Sequence, residues 1–153
     1  IRDRSMAGGV SLSCMYITWE TYQCGNVLSL IVSCGWGFDM NTHSVYLYDT
    51  ATGEQMTTAQ LLETLQVEPE TFLAAVRQAA AERFDGKYAG IGGDTDELVA
   101  ERRAWTLSDE NINLDVMTYA DAAGNLYVYL PIGSIAGAAS YEEPLTLDLG
   151  AAG

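Results

Sequence analysis

Carboxylates are the most numerous side chains in this sequence that could act as acids, bases or nucleophiles. The 153 residues include 21 aspartates and glutamates but a single histidine, His43. Two carboxyl groups that face each other across a cleft suffice to hydrolyse a glycosidic bond. Because 21 acids allow many such pairs, a carboxylate-dependent hydrolase of cell-wall glycans stays open as an alternative function.

A nucleophilic triad is not indicated. It would need His43 as its base, because the chain has no second histidine. Residues 133–137, GSIAG, differ from the GxSxG elbow that carries the nucleophilic serine of many hydrolases. We therefore predict no catalytic residue, and a protein that is not an enzyme.

Metal and phosphate sites are not indicated either. The glycine-rich residues 90–94, GIGGD, lack the lysine of a P-loop, and the acids Asp96 and Glu97 that follow would repel a phosphate. These acids also depart from the EF-hand pattern, which needs a glycine and a glutamate at set positions. The cysteines contain no CxxC pair, and His43 lies in a predicted strand without nearby ligand types. We predict neither a metal nor a cofactor.

Aromatic side chains offer another route to function, since exposed rings stack on sugars or anchor a protein partner. The rings on the first three predicted strands belong to Tyr16, Trp19, Tyr22, Trp36, Phe38, Tyr46 and Tyr48. The candidate ligand-binding residues are Trp36, Phe38, His43, Tyr46 and Tyr48. Cross-strand packing inside a core is the alternative role for these side chains.

The charge balance restricts the class of partner. Seven lysines and arginines against 21 acids give a formal net charge of -14. Such a chain repels the phosphates of nucleic acids and anionic membrane surfaces, so we expect no nucleic-acid partner. A basic protein would be attracted, although acidity also serves solubility.

The length of the chain bears on the number of domains, and its first residues bear on whether the sequence was processed or belongs to a longer protein. At 153 residues and 48% hydrophobic, the chain is predicted to form a single domain. It starts at Ile1 without the apolar core of a signal peptide, which predicts a start after a processing site or within a longer protein, with residues 1–9 disordered or truncated. No apolar run approaches the length of a membrane span, so any membrane attachment would use a tether outside this chain.

Residues 42–65 predict a strand, a tight turn and a helix in that order. Val45 and Leu47 lie on one face of the extended segment, and Tyr46 and Tyr48 lie on the other. An Asp-x-x-Thr-Gly sequence follows, which is typical of a tight reversal. A Thr-x-x-Gln capping box then starts a short helix.

The other elements complete an α+β pattern. Strands at residues 10–22 and 26–38, joined by a Gly25–Asn26 turn, form an antiparallel meander with residues 43–50. Pro69 starts an amphipathic helix that ends near Asp85. A short helix is predicted at residues 96–103, and strands at residues 104–107, 112–117, 126–130 and 145–149. The order β-β-β-α-α-(α)-β-β-β predicts a mainly antiparallel sheet with helices packed on one face.

Cys14, Cys24 and Cys34 are an odd number, so at least one thiol is unpaired within the chain. If the turn at Gly25–Asn26 forms, Cys14 and Cys34 approach each other across two strands, and a bridge between them is geometrically allowed. The alternative is that both are small buried hydrophobic residues.

Several motifs resemble the carboxy-terminal domain of the RsiV-like family. The matching segments are NVLSL at 26–30, YLYD at 46–49 with TGE at 52–54, the leucines at 61–62, WTLS at 105–108, and LYVYL at 126–130 with the Ile-Ala at 135–136 and the small residues up to Tyr141. The resemblance covers most of the chain from about Tyr16. It departs at residues 35–43, GWGFDMNTH, where members commonly have a Gly-Gly-Ala-His-like loop.

This family includes extracytoplasmic regions of anti-sigma-V factors and a domain of unknown function that accompanies some peptidoglycan deacetylases. The resemblance implies a secreted or membrane-tethered bacterial domain without catalysis of its own, and some members bind lysozyme. We therefore predict a non-enzymatic extracytoplasmic binding or sensory module of a cell-envelope protein. Its partner would be a basic protein such as lysozyme or a cell-wall glycan. A purely structural accessory domain of a larger envelope enzyme is a further alternative, beside the glycan hydrolase.

Overall fold

The computed structural model describes residues 4–5, 11–12, 14–36, 41–91, 93, 95–136 and 140–150. Its strands are β1 (Arg4–Ser5), β2 (Ser11–Leu12), β3 (Tyr16–Cys24), β4 (Val27–Gly35), β5 (Asn41–Asp49), β6 (Gln55–Met56), β7 (Met117–Ala120), β8 (Leu126–Gly133) and β9 (Ser140–Thr146). Its helices are α1 (Thr58–Thr64), α2 (Pro69–Lys87) and α3 (Asp96–Thr106). The predicted α+β class is confirmed.

The strands form antiparallel sheets that the helices separate in sequence. β3, β4, β5 and β6 follow one another in the first sheet, and β7, β8 and β9 form the second. β1 pairs with β2 in a short ladder. Most of residues 1–9, which were predicted to be disordered or truncated, lie outside the described residues. No described helix is long and apolar enough to cross a membrane.

The hairpin between β3 and β4 forms where the sequence predicts it. Cys24 pairs with Val27, and Gly25 between them has φ +57. Glycine takes this left-handed conformation without steric cost, which permits a two-residue turn. The turn sets the register of both strands up to the Tyr16–Gly35 pair.

The predicted strand, turn and helix at residues 42–65 are also confirmed. Asp49 Oδ1 accepts the N–H of Ala51 at 2.8 Å, and Gly53, with φ +77, donates its N–H to Asp49 O at 2.7 Å. The capping box follows: Thr57 Oγ1 accepts the N–H of Gln60 at 3.2 Å, and Gln60 Oε1 accepts the N–H of Thr57 at 2.8 Å.

The core lies between α2 and the second sheet. Pro69 begins α2, whose fully buried side chains include Phe72, Val76 and Phe84. They belong to one apolar cluster with alternate residues of β8 such as Val128 and with Leu47 of the first sheet. The helix and both sheets therefore share a single core.

One predicted strand is a helix instead. Residues 104–107 lie at the end of α3 and in the turn after it, and not in an extended segment. Thr106 is buried, donates its hydroxyl to Arg102 O at 2.8 Å and accepts the N–H of Gly133 at 2.9 Å. This contact with β8 fixes the last helical turn, and tertiary packing here overrides the weak strand preference of a short segment. The motif WTLS, part of the family resemblance, is thus not a strand.

Other strand boundaries were wrong as well. The closing strand, predicted at residues 145–149, is β9 and runs from Ser140 to Thr146, and the first strand, predicted at residues 10–22, is mainly β3 from Tyr16 to Cys24. Residues 112–116 form turns, and Met117 begins β7. β8 continues through Pro131 to Gly133, although Pro131 was predicted to interrupt it. The pairing of β7 with β8 reaches only to the Met117–Tyr129 pair, so β7 does not extend along β8 as far as Pro131. The missing N–H of Pro131 is tolerated because no described strand pairs with β8 at that position on this side.

Candidate functional site

The first sheet has one face turned away from the rest of the molecule, which we call the outer face. Directly opposed residues of antiparallel strands share a face, so the register defines its members. These are Ile17, Trp19, Thr21, Gln23, Leu28, Leu30, Val32, Cys34, Thr42, Ser44, Tyr46, Tyr48 and Gln55. Their neighbours on the opposite face, such as Val27, Ser29 and Leu47, are buried.

The outer face is uncharged and largely apolar. It contains no aspartate, glutamate, lysine, arginine or histidine, although 18% of the chain is charged. Trp19 is 71% exposed, Ile17 48% and Tyr46 39%. Leu30 lies half-buried opposite Tyr46, so aliphatic side chains fill the centre between the rings. Contiguous apolar surface of this kind marks an interaction site more often than isolated exposed residues do.

The structure separates the five predicted ligand-binding residues. Tyr46 and Tyr48 lie on the outer face. Trp36 follows β4 and donates its indole Nε1–H to Thr42 Oγ1 at 2.8 Å, which keeps the ring at the end of that face. His43 lies on the opposite face, and Phe38 lies outside the described residues. The predicted set is therefore not one site.

Trp19 is the most exposed ring of the outer face and was not among the five predicted site residues. It stands opposite Val32 in the β3–β4 ladder. The signal was present in the sequence as the alternation of Ile17 and Trp19 with polar residues. Assigning it to the face of Tyr46 required the register of the hairpin, which follows from the turn at Gly25.

An acidic cleft adjoins the outer face at its β6 edge. Asp49, Glu54 and Glu63 line a depression of about 230 Å³ together with Gln55 of the outer face. No lysine or arginine lines this cleft. The apolar face is thus bordered on one side by three uncompensated carboxylates, an arrangement that favours a cationic group in a ligand.

Stacked rings join the two sheets on the opposite side, in what we call the inter-sheet cluster. Tyr119 stacks on Tyr22, Tyr127 and Tyr129 with ring centroids 5.7, 5.0 and 5.9 Å apart. The ring of His43 lies 4.0 Å from that of Tyr129 at an interplanar angle of 15°. Burial raises the pKa of Tyr119 and of Tyr129, so these phenols stay protonated and do not act as bases at neutral pH.

Acids around this cluster are engaged in hydrogen bonds. Glu142 Oε2 accepts the backbone N–H of His43 at 2.7 Å and lies 3.1 Å from its Nδ1. Asp121 accepts hydrogen bonds from the side chain and backbone of Asn125 and from the hydroxyl of Tyr127, and these lower its pKa. His43 therefore has an acidic neighbour, which the sequence did not indicate. The cluster serves to hold two sheets together.

Metal ions and small organic ligands need sites of a different kind, a cluster of ligating side chains or a pocket of sufficient volume. In the part of the chain that the structure describes, no three histidine, cysteine or acidic side chains are placed to hold a metal ion. A cleft between β5, α1 and β7 has a volume of about 220 Å³ and is lined by Leu47, Met56, Thr58 and Val116 among others. Small-molecule pockets commonly measure roughly 300–1,000 Å³, so this cleft is small for such a ligand. A depression of about 370 Å³ between α1 and the start of α2, lined by Leu62, Gln66 and Pro69 among others, lies at the low end of that range.

Comparison with known proteins was made at the level of families, sequences and structures. No protein-family model matches this chain, and neither a curated protein nor a solved structure matches it. The resemblance to the RsiV-like family therefore stays a prediction from the motifs, and the outer face with its acidic cleft is the candidate site on its own geometry.

Proposed function

We propose that this protein is a non-enzymatic binding module of a bacterial cell-envelope protein and that it binds a basic protein through the outer face and the acidic cleft. The observation that carries this proposal is an uncharged sheet face with Trp19 and Tyr46 exposed, bordered by Asp49, Glu54 and Glu63. A binding module needs such a surface, whereas a purely structural domain gains nothing from it.

The composition of the outer face suits a protein partner. Interfaces combine an apolar, aromatic centre with a polar or charged rim. Trp19, Tyr46 and Leu30 supply the centre, and the acidic cleft supplies one side of the rim. Large rings dominate binding energy because they bury much area at a small cost in side-chain entropy.

The charge of the whole chain supports a basic partner. A formal net charge of -14 creates a negative potential that accelerates the approach of a cationic protein. The three acids of the cleft would contact lysine or arginine side chains at the rim. The extracytoplasmic location, secreted or membrane-tethered, rests on the RsiV-like resemblance, which also makes lysozyme a suitable first probe.

A cell-wall glycan is a second candidate ligand, favoured by the same rings. Thr21 and Ser44 stand beside Leu30 and Tyr46 on the outer face and carry hydroxyls that could bond to a sugar stacked on Trp19. The glycan-hydrolase alternative needs two free carboxyl groups facing each other. Glu143, the most buried acid that the structure describes, is paired with Lys87 and Arg83, so the acids of the cleft are the candidates for such a pair. The accessory-domain alternative predicts no ligand at all.

Titration with lysozyme at low and high salt tests the proposal. We expect binding at low ionic strength that weakens as salt is added, because the encounter is electrostatic. Trp19→Ser and Tyr46→Ser should each weaken binding about tenfold or more. Ile91→Ser removes an apolar side chain that is 44% exposed, close to the 39% of Tyr46, from the segment between α2 and α3 and should leave binding unchanged.

The acidic cleft is tested separately. Glu54→Gln and Glu63→Gln should weaken binding and reduce its salt dependence, while Glu110→Gln, an exposed acid outside the cleft, should have a smaller effect. Binding that survives both ring substitutions at full strength would refute the outer face as the site. Binding of chitin or peptidoglycan fragments without any affinity for a basic protein would favour the glycan instead.

A further inference from the structure

Cys14 and Cys34 both lie at the open end of the β3–β4 hairpin. Cys34 occupies β4 opposite Ile17, and Cys14 precedes β3. Met15, next to Cys14, donates its backbone N–H to Gly35, next to Cys34. Burial and then the nearby Cys14 side chain raise the pKa of the Cys34 thiol. Both are half-buried and unbonded to other sulfurs. The turn predicted that these residues approach each other. Both lie at the same end of the hairpin, and a bond between them stays a prediction.

Several contacts hold the segment around Cys14 in place. Met15 donates its N–H to Gly35 O at 2.7 Å, and the Cys14 thiol donates to Tyr16 O at 3.2 Å. The ring of Tyr16 lies directly over Gly35, where an added Cβ would come within 2.2 Å of it, and its hydroxyl donates to Asn41 Oδ1 at 3.1 Å. The position of Cys14 beside Cys34 is therefore fixed by its neighbours.

We propose that Cys14 and Cys34 form an intramolecular disulfide when the protein meets a small-molecule disulfide, and that Cys24 stays a thiol. Cys24 lies at the other end of the hairpin, where it pairs with Val27. At about 3.3 Å per residue, the seven residues from Val27 to Cys34 span roughly 23 Å, far beyond the reach of a disulfide.

The reaction is a thiol–disulfide exchange in two steps. The thiolate of Cys14 attacks a disulfide R–S–S–R and releases one thiol R–SH, which leaves a mixed disulfide on Cys14. The Cys34 thiolate then attacks the Cys14 sulfur, and the second R–SH leaves. The protein loses two electrons and two protons, which the two R–SH molecules carry. Burial and the neighbouring Cys14 raise the pKa of Cys34, which favours Cys14 as the first attacker.

The bond would link the segment just before β3 covalently to the end of β4. Cys34 belongs to the outer face, so the bond would fix one end of the proposed binding surface. Such bonds persist in oxidising compartments, which suits the proposed extracytoplasmic location. Formation of the bond depends on the two thiols alone and does not require the proposed partner.

Thiol counting on the full chain tests the bond. After incubation with oxidised glutathione, the protein is denatured, alkylated with N-ethylmaleimide and weighed. We expect three adducts on the reduced protein and one on the oxidised protein, located on Cys24 by peptide mapping. Three adducts after oxidation, or stable glutathione adducts on both Cys14 and Cys34, would overturn the proposal.

Matched variants identify the pair. Cys24→Ser should show two adducts when reduced and none when oxidised. In Cys14→Ser and in Cys34→Ser, the remaining cysteine of the pair should form no intramolecular bond. That cysteine should carry either N-ethylmaleimide or one glutathione. An intramolecular bond in either of these two variants would show that Cys24 can pair, and would contradict the proposed assignment.

Discussion

Glu142 in β9 holds His43 in β5 at two points: its Oε2 accepts the backbone N–H of His43 at 2.7 Å and lies 3.1 Å from Nδ1. These residues are far apart in the sequence and belong to different sheets. The side chains are 28% and 11% exposed, so little water competes for the contact. The pair therefore ties the first sheet to the second.

Removing this carboxylate should loosen the contact between the sheets. We expect Glu142→Ala to lower the free energy of unfolding by about 1–3 kcal/mol, because a hydrogen bond to a charged group is lost and the N–H of His43 is left unpaired. Urea denaturation at pH 7 measures the change. Glu110→Ala, which removes an exposed acid, should stay within about 0.5 kcal/mol, and equal effects of the two would argue against the proposed role of Glu142.

Ser29 makes a second bridge between the sheets. It is fully buried, and its hydroxyl donates to Ala120 O at 3.2 Å and accepts the N–H of Ala120 at 3.3 Å. Ser29→Ala should cost about 1–3 kcal/mol, because it leaves two buried backbone groups at the edge of β7 without their partner. Ser44→Ala, at an exposed position of β5, is the control for denaturation measurements and should be close to neutral. A neutral Ser29→Ala would mean that water replaces the hydroxyl.

Substitution by alanine at two glycines should change the stability of the protein in opposite directions. A Cβ at Gly133 would lie 2.9 Å from Arg102 O and 3.1 Å from Thr106 Oγ1, so α3 could not keep its distance from β8. Gly133→Ala should destabilise by about 1–3 kcal/mol through overpacking. Gly86, within α2, has no neighbour that a Cβ would meet, and Gly86→Ala should stabilise by about 0.5–1 kcal/mol. Thermal melts of both variants would reveal the opposite shifts, and shifts of equal sign would contradict the packing difference.

Glu143 makes stability depend on pH. Burial by itself would raise its pKa, but hydrogen bonds and charges from Lys87, at 2.7 Å, and from Arg83 outweigh burial and lower it. A carboxyl with a lower pKa in the folded state stabilises fully above its unfolded pKa, about 4.3, and loses this contribution as the pH falls through the folded value.

Glu143→Gln should therefore lower the free energy of unfolding by about 1–2 kcal/mol at pH 7, the cost being limited because Arg83 is 57% exposed. The difference in the free energy of unfolding between the unsubstituted protein and Glu143→Gln should shrink as the pH falls below about 4.3. Urea denaturation between pH 7 and pH 3 measures it. Ser29→Ala changes no ionisable group, so its effect on the free energy of unfolding should not change with pH. If the effect of Glu143→Gln is also independent of pH, the ion pairs of Glu143 are not the cause of that effect.

Local features of the fold were predictable because each depends on a few neighbouring residues. The Gly25 turn, the Thr57–Gln60 capping box and Pro69 at the start of α2 are all found where the sequence places them. The segment at residues 104–107 was wrong because its conformation depends on Thr106 reaching Gly133, a contact between distant elements. Short segments without a turn or a cap carry too little local preference to decide between helix and strand.

The candidate site was also predictable only where it depends on residues that are close in sequence. Alternation placed Tyr46 and Tyr48 on one face of a strand, but it could not join Trp19 to them without the register of β3 and β4. His43 was grouped with these rings because it is close in sequence. The structure places it on the other face, against Glu142 and Tyr129.

The sequence by itself determined an α+β protein with a strongly acidic surface and a hairpin whose strands carry apolar residues on both faces. Only the tertiary structure decided which face of β4 is buried. Val27 and Ile31 are covered, whereas Leu28 and Leu30 stay half-exposed. The two sets are equally apolar, so hydrophobicity alone cannot choose between them. The choice was made by the second sheet and its helices, which cover one face through contacts such as Ser29 with Ala120 and leave the outer face open.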